Sequence, residues 1–461
     1  MAQTSNLFFD MEIIGYVLRA LIGIVSLLGI AYCLSSDRSR ISWRVVAGGL
    51  LLQFLIAALL LGNVPGIATI FDGLSKFFVA LFGFAMSGSE FVFGVFGNPE
   101  SIAEKFGTER TFVFAFHALP MIIFFSALSS LLYYMGILQR IVKVLAWAMS
   151  RMMKLSGAES LAAAANVFVG QTEAPLVIKP YIPTMTRSEL TALMVGGMAT
   201  IAGSVFGAYI LFLGGGNEEE MQLFGKVLLC ASLMNAPAAL LIAKILVPET
   251  SQVNRNLNVS RERMGTNAID AVANGTSEGL KLALNVAAML IAFIAIIAML
   301  NYMLGSWLGV IPLPGEADNI NSWVAKASDE TFESLSLQAI CGFVFAPVAW
   351  LIGVGGDEIL KVGQLIGVKV IANEFVAFGN LGDLKAAGNL SAHAVFLSTF
   401  ALCGFANFAS IGIQIGGIGG LAPERKSDIA ALGIKALIGG TLASLLSAAV
   451  AGMFFGAGFV N

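Results

Sequence analysis

Apolar residues fall along this chain in long blocks separated by short polar connections. A helix needs about 20 mostly apolar residues to cross a hydrocarbon core of about 30 Å. Blocks of that length lie near 12–34, 46–63, 110–135, 190–213, 222–247, 282–309, 391–415 and 433–458, which predicts about eight spanning helices. The connections sort by charge. DRSRISWR (37–44), QRIVKVLAWAMSRMMK (139–154), NRNLNVSRER (254–263) and ERK (424–426) are basic, whereas the N-terminus, NEEE (217–220) and GEADNINSWVAKASDETFE (315–333) are acidic. Basic connections stay on the cytoplasmic side of a membrane, and over eight spans that rule places both termini outside.

Three stretches depart from this pattern. Phe71–Gly97 and Leu138–Met153 mix charges into an amphipathic sequence and are expected to lie along the interface. The third contains NVFVGQTEAPLVIKP (166–180), in which Gln171, Thr172 and Glu173 interrupt an apolar run. Ser156…Glu159 and Thr186…Glu189 have the spacing of capping boxes, so a helix should start at each. Between these starts the run is broken at Gly170, Pro175, Pro180 and Pro183. Each arm then has about a dozen residues, or about 20 Å of helix, too short to span. A re-entrant hairpin fits, with Gly170–Glu173 as its tip at mid-membrane depth and sheltered by protein.

The second half repeats the plan. Leu335–Val354 reads as a short apolar or amphipathic helix. GGDEILKVGQLIGVKVIANEFVAF (355–378) then places Asn373 and Glu374 after about a dozen helical residues. In both halves a helix opens at a Gly/acid pair, reaches a mid-run carboxylate and precedes a long apolar helix with an internal break. Those breaks are Thr200–Val205 and Gly404–Ser410. Flanking charge puts the base of the first hairpin inside and that of the second outside, so the repeats are inverted. Paired interruptions in inverted repeats point to a transporter's binding site.

Composition agrees with an integral membrane protein: 57% of residues are hydrophobic, 12% are charged and mean hydropathy is +0.85. A soluble domain carries about 25% charged residues. The net charge of −3 and the lack of a long basic run give no sign of a nucleic-acid partner. Cys33, Cys230, Cys341 and Cys403 stand singly in apolar segments with no metal or redox spacing, so they read as small core residues. His117 and His393 are isolated and read as packing residues. HExxH, GxSxG and Walker A signatures are absent. The N-terminus lacks the basic start and cleavage site of a signal peptide, so the first apolar block is expected to be retained. Glu159, Glu189, Asp357 and Glu358 read as helix starts. Lys179, Lys361 and Lys369 are expected to snorkel or line the aqueous side of a hairpin.

Two hairpin tips and two broken helices converging at the midplane would gather Gln171, Thr172, Glu173, Glu374, Asn407 and Ser410. Amides and hydroxyls that both donate and accept, with two acceptor carboxylates, suit a neutral ligand rich in hydroxyls. Neither tip carries Arg or Lys, which disfavours an anion, and Phe405 offers a face to an aromatic ring. On these grounds the ligand is polar and neutral, and a nucleoside is one such molecule.

Four motifs sharpen this reading. Val169–Pro175 (VGQTEAP), Ala199–Val205 (ATIAGSV), Asn373–Ala377 (NEFVA) and Gly404–Gly412 (GFANFASIG) resemble the concentrative nucleoside transporter family, in order, within a likeness running from about 12 to 458. The resemblance implies an all-α homotrimer in membrane lipids, each subunit with eight transmembrane helices, two opposed re-entrant hairpins and interfacial helices. It implies sodium-driven nucleoside import by an elevator movement. Carried over by motif, Gln171, Thr172 and Glu173 would contact the base, Glu173 partly through water. Val205 and Phe405 would pack on the base, and Glu374, Asn407 and Ser410 would bind ribose. Asn166, Val169, Thr200 and Ile201 would hold Na⁺, largely through backbone carbonyls. Proton-coupled relatives tend to lose the Asn and to carry Ser for Thr in the tip motif, so Asn166 and Thr172 favour sodium. Ala409 departs from the Ser of many relatives. The implied units are 1–135 (helices 1–3 and an interfacial helix, mainly scaffold), 136–213 (interfacial helix, first hairpin and broken helix 4, transport), 214–309 (helices 5 and 6, helix 6 mainly scaffold), 310–420 (second hairpin and broken helix 7, transport) and 421–461 (helix 8). A bacterial inner membrane is the expected location. The alternatives are a proton-coupled nucleoside symporter, a membrane enzyme acting on a polar heterocycle, a channel, or an amino-acid carrier.

Overall fold

The computed structural model describes residues 2–62, 64, 66–106, 113–251, 265–313 and 318–455, with side chains from residue 15 onward except at 67, 68, 70–72, 74, 75, 78, 99, 100 and 103. The basic connection 254–263 lies outside the described residues. An apolar chain in lipid must satisfy its backbone groups internally, and this one does so with helices. The first are α1 (Ala2–Cys33), α2 (Trp43–Leu61), α3 (Ile67–Phe93) and α4 (Pro99–Phe106), followed by α5 (Phe114–Tyr134) and α6 (Ile137–Met153). In α6, Leu138, Val142, Ala146, Met149 and Met153 are buried at three- and four-residue intervals, so the helix lays one apolar stripe on the core.

The first hairpin follows as α7 (Gly157–Asn166), a non-helical tip and α8 (Ala174–Val177), then a 3₁₀ segment, Lys179–Thr184. Both capping boxes form: Ser156 and Glu159 exchange hydrogen bonds at the start of α7, as do Thr186 and Glu189 at the next helix. The return arm is not the dozen-residue helix expected. Pro175, Pro180 and Pro183 lack the amide hydrogens a continuous helix needs, so the arm is one α-turn and a 3₁₀ run. Then α9 (Arg187–Ala199) and α10 (Gly203–Gly214) stand on either side of a break at 200–202, and α11 (Glu218–Leu246) follows.

α12 (Ala268–Met303) is about 54 Å long and begins well before the expected 282. Its polar first turns are held by the Asn267 cap, whose Oδ1 accepts from the Asp270 amide at 2.9 Å. They also pack on α5, where glycine lets the backbones close: a Cβ at Gly275 would sit 2.6 Å from the Ser130 Cβ, and one at Gly279 2.8 Å from the Ile123 Cα. The second half contains α13 (Ile320–Ala327), α14 (Leu337–Leu351), α15 (Glu358–Ile371) and α16 (Glu374–Ala386), then α17 (Ala392–Leu402), α18 (Phe408–Leu421) and α19 (Lys426–Gly452). The hairpin α15–α16 and the interrupted pair α17–α18 reproduce the order of parts in 157–214.

Among the described residues eight helical segments, the broken pair α9–α10 taken as one, are long and apolar enough to cross a membrane. Membership differs in one place from the apolar blocks. The block 391–415 is divided between α17 and α18, each shorter than a span, whereas 79–97 at the end of α3 has the length and apolarity of one. Burial separates centre from periphery. The apolar window of α11 is 94% buried and that of α9–α10 is 83% buried, but that of α12 is only 11% buried. The hairpins and broken helices therefore pack around α11 and α19, with α12 on the rim. This is the all-α membrane architecture of opposed hairpins expected from the sequence.

Candidate functional site

Glu374 opens α16, where Asn373 caps the helix by accepting from the Val376 amide at 3.0 Å. Its carboxylate is buried and fully engaged. The Tyr209 hydroxyl, from α10, donates to one oxygen at 3.1 Å, and the Asn407 Nδ2 donates to the other at 2.9 Å. Asn407 in turn caps α18, its Oδ1 accepting from the Ser410 amide at 2.9 Å. One residue thus sets the start of the second half-helix and the direction of the carboxylate.

The network continues to the first hairpin. Gln171 Nε2 donates to the Ser410 hydroxyl at 3.1 Å, and Gln414 Nε2 donates to Gln171 Oε1 at 3.1 Å and to the Met194 carbonyl at 2.9 Å. Hairpin 1, hairpin 2, α9, α10 and α18 therefore meet through one chain of polar side chains. Glu173 closes the tip, its Oε2 accepting from the Gly170 amide at 2.5 Å. Thr172 is exposed beside Gly417, and its methyl would touch a Cβ there at 3.4 Å. Val205 is buried in the first turn of α10, and Phe405 is half-buried in the second break.

Sequence reasoning missed Tyr209 and Gln414. Gln414 was legible as an amide one helical turn past Ser410 in an apolar helix. Tyr209 carries no such signal, because a tyrosine in a spanning helix is ordinarily a packing residue; here it stacks on Phe378 with ring centroids 4.4 Å apart.

On the other side of the first hairpin, Asn166 ends α7. It is buried, and neither atom of its side-chain amide has a hydrogen-bond partner among the described residues. Gly196 makes room for it, since a Cβ there would lie 3.1 Å from Asn166 Nδ2. Thr200, at the break, donates its hydroxyl to the Gly196 carbonyl at 2.9 Å. The structure thus brings Asn166 beside the end of α9, with Thr200 and the buried Ile201 following. An orphaned amide next to an interrupted backbone is a set of hard oxygen donors that suits Na⁺. Val169 sits farther along, in the wall of a cavity of about 390 Å³ between hairpin 1, α5 and α12. Glu173, Ser204, Asn274 and Glu278 share that wall, whereas Gln171, Glu374, Asn407 and Ser410 do not line it.

Other expectations fare unevenly. Lys369 does not snorkel: it is buried, and its amine donates to the Ala401 carbonyl at 2.8 Å and the Ser444 hydroxyl at 3.1 Å. Lys361 reaches the Asn389 carbonyl at 3.3 Å, and Lys179 is exposed. Glu159 is more than a helix start, since it pairs with the buried Lys244 at 2.7 Å. Glu358 accepts from the Ser391 hydroxyl at 2.9 Å and ties hairpin 2 to α17. All four cysteines are free, and Cys33, expected in the core, is exposed because it ends α1. His393 packs between Tyr16 and Phe455.

Residues 22–96 match the N-terminal part, and residues 227–452 the C-terminal part, of the family described as Na⁺ dependent nucleoside transporter; residues 115–216 match a family described as Nucleoside recognition. An uncharacterized transporter of Haemophilus influenzae is 44% identical over 96% of this chain and 99% of its own length. The sodium/nucleoside cotransporter 1 of Rattus norvegicus is 38% identical over 94% of this chain, which spans 63% of the rat protein. The structure of CNTnw in an inward-facing substrate-bound state is 42% identical, covers 95% of this chain and 99% of that one, and superimposes with a TM-score of 0.83. Variants of CNTnw are also known in an outward-facing state, one with a TM-score of 0.82 at 41% identity.

Proposed function

This chain belongs to the Na⁺-dependent, or concentrative, nucleoside transporters, and from that premise we propose how its own residues perform symport. It is a multi-pass membrane protein and a secondary transporter, not an enzyme, and it works by alternating access with sodium as the coupling ion. Glu374, Asn407 and Ser410 bind ribose hydroxyls, the carboxylate accepting the strongest of these hydrogen bonds. Gln171, Thr172 and Glu173 meet the base, which packs on Val205 and Phe405. The Gln171–Ser410 contact is exchanged for contacts to the ligand, so the two hairpins close on the nucleoside from opposite repeats. Asn166, Val169, Thr200 and Ile201 bind Na⁺.

The observation that carries this reading is the single polar network that joins Glu374 and Asn407 to Gln171 across the repeats. The protein works in the bacterial inner membrane as a homotrimer with both termini outside. The apolar face of α12, with Leu284, Ile291, Ile294 and Met299 exposed in the single chain, supports contact with lipid and neighbouring subunits. Hairpins and broken helices then move as an elevator against α5 and α12.

The test is uptake of labelled uridine into proteoliposomes at fixed pH, with an inward sodium gradient against an equal-salt control. Accumulation only with the gradient is expected. Accumulation driven by a proton gradient would keep the nucleoside site and overturn the ion site, and no accumulation under either gradient would overturn the substrate.

A further inference from the structure

Asn235 sits mid-way along α11, fully buried in the span whose apolar window is the most enclosed among the described residues. Its Nδ2 donates two hydrogen bonds of 2.7 Å, one to the Ala199 carbonyl and one to the Cys403 carbonyl. Ala199 is the last residue of α9, and Cys403 is the residue after α17. Both acceptors are carbonyls orphaned by a helix break, because the amides that would have bonded them are directed elsewhere. The Gly203 amide bonds the Phe168 carbonyl at 3.0 Å, and the Asn407 amide bonds the Phe405 carbonyl at 2.9 Å. A side chain with two amide hydrogens can satisfy both carbonyls only if they converge on it.

They do converge. Gly404, with φ +151°, presses the second break against the first so closely that a Cβ would lie 2.6 Å from the Ala199 oxygen and 2.8 Å from the Met198 oxygen. The two breaks are one backbone unit, and Asn235 is its clasp. Immediately downstream of one carbonyl come Thr200 and Ile201, on the ion side. Downstream of the other come Phe405, Asn407 and Ser410, on the nucleoside side.

We propose that Asn235 is the positioning residue through which sodium binding and nucleoside binding are coupled. The inference rests on the assignment of those two sides given above. An ion drawn to the carbonyls after Ala199 fixes the peptide planes of the first break. The shared amide then holds the Cys403 plane, and with it the Asn407 cap and the Glu374 carboxylate, in the binding geometry. Coupling of this kind is reciprocal: sodium raises uridine affinity by the factor by which uridine raises sodium affinity.

The experiment is titration calorimetry of uridine against the purified protein, with and without saturating Na⁺, in wild type and Asn235→Leu. The readout is the ratio of the two dissociation constants. Asn235→Leu should bring that ratio toward one, a fall of about tenfold or more. Affinities that weaken equally with and without sodium, leaving the ratio unchanged, describe a merely structural residue and overturn the proposal. Gly404→Ala, which wedges the breaks apart while leaving Asn235 in place, should lower the ratio in the same way and serves if the first variant does not fold. A wild-type protein indifferent to sodium overturns the parent assignment along with this one. A sodium-responsive wild type whose ratio survives in the variants overturns this one alone.

Discussion

At the scale of the residue, polar groups in an apolar chain are the legible ones. Gln171, Glu173, Glu374 and Asn407 stand out in sequence because lipid would not tolerate them, and three of these four meet in one hydrogen-bonded network. Glu173 stands apart, engaged with its own hairpin tip. Tyr209 was illegible because its hydroxyl is a small part of a large packing side chain, and Lys369 was misread because a buried partner cannot be seen from one helix. Two substitutions separate the roles. Glu374→Gln keeps the shape of the side chain but removes the charge that would receive ribose hydroxyls. Uridine uptake should fall below detection with expression and oligomer size unchanged, and full uptake would remove Glu374 from the ribose site. Asn166→Ala removes the orphaned amide oxygen beside the first break. It should raise the sodium concentration for half-maximal uptake by about tenfold, the effect of one lost ligand of roughly 1.4 kcal/mol. An unaltered sodium dependence would move the ion elsewhere.

At the scale of the element, the helix starts were written locally and could be read: both capping boxes depend only on side chains three residues apart. The return arm of hairpin 1 was half legible, since its prolines announced a break but not the 3₁₀ turns that replaced the helix. The start of α12 was hidden because its first turns are polar and earn their place by packing glycines on α5, a relation between distant segments. The base of hairpin 1 shows how such relations stabilise an element. Lys244, on α11, reaches Glu159 at 2.7 Å, Ser188 at 3.0 Å and Glu249 at 3.3 Å, so one ammonium holds α7, α9 and the end of α11. Just beyond the helix, burial pushes the Glu249 carboxyl up, but Lys244 and the Thr186 hydroxyl hold it below its ordinary value. Lys244→Met would leave Glu159 buried without its cation, a loss of about 3–5 kcal/mol by comparison with other broken buried pairs. The double variant Lys244→Met, Glu159→Gln should recover much of the melting temperature in detergent. A single variant as stable as wild type would show that Glu159 needs no counter-charge.

At the scale of the whole molecule, the division between a moving body and a frame is a statement about which interfaces must slide. Contacts inside the polar network join both hairpins and both broken helices, so these parts travel together or the nucleoside site comes apart. The contacts between α5 and α10 are of another kind. Phe114 stacks on Phe212 with centroids 5.8 Å apart and planes 11° from parallel. Flat apolar faces of this sort carry no hydrogen bond to break when one surface shifts along another. A pair of cysteines at 114 and 212, in a background where Cys33, Cys230, Cys341 and Cys403 are serine or alanine, places a thiol on each side of that surface. A short bifunctional thiol reagent should then stop uridine accumulation in proteoliposomes, while sodium-dependent uridine binding to the cross-linked protein persists, because no group of the network is touched. Reversal of the link with a cleavable reagent should restore uptake. Transport that continues across a fully formed link would mean that α5 and α10 keep their relation throughout the cycle. Access would then alternate by motion of the hairpins alone, within a body that does not move.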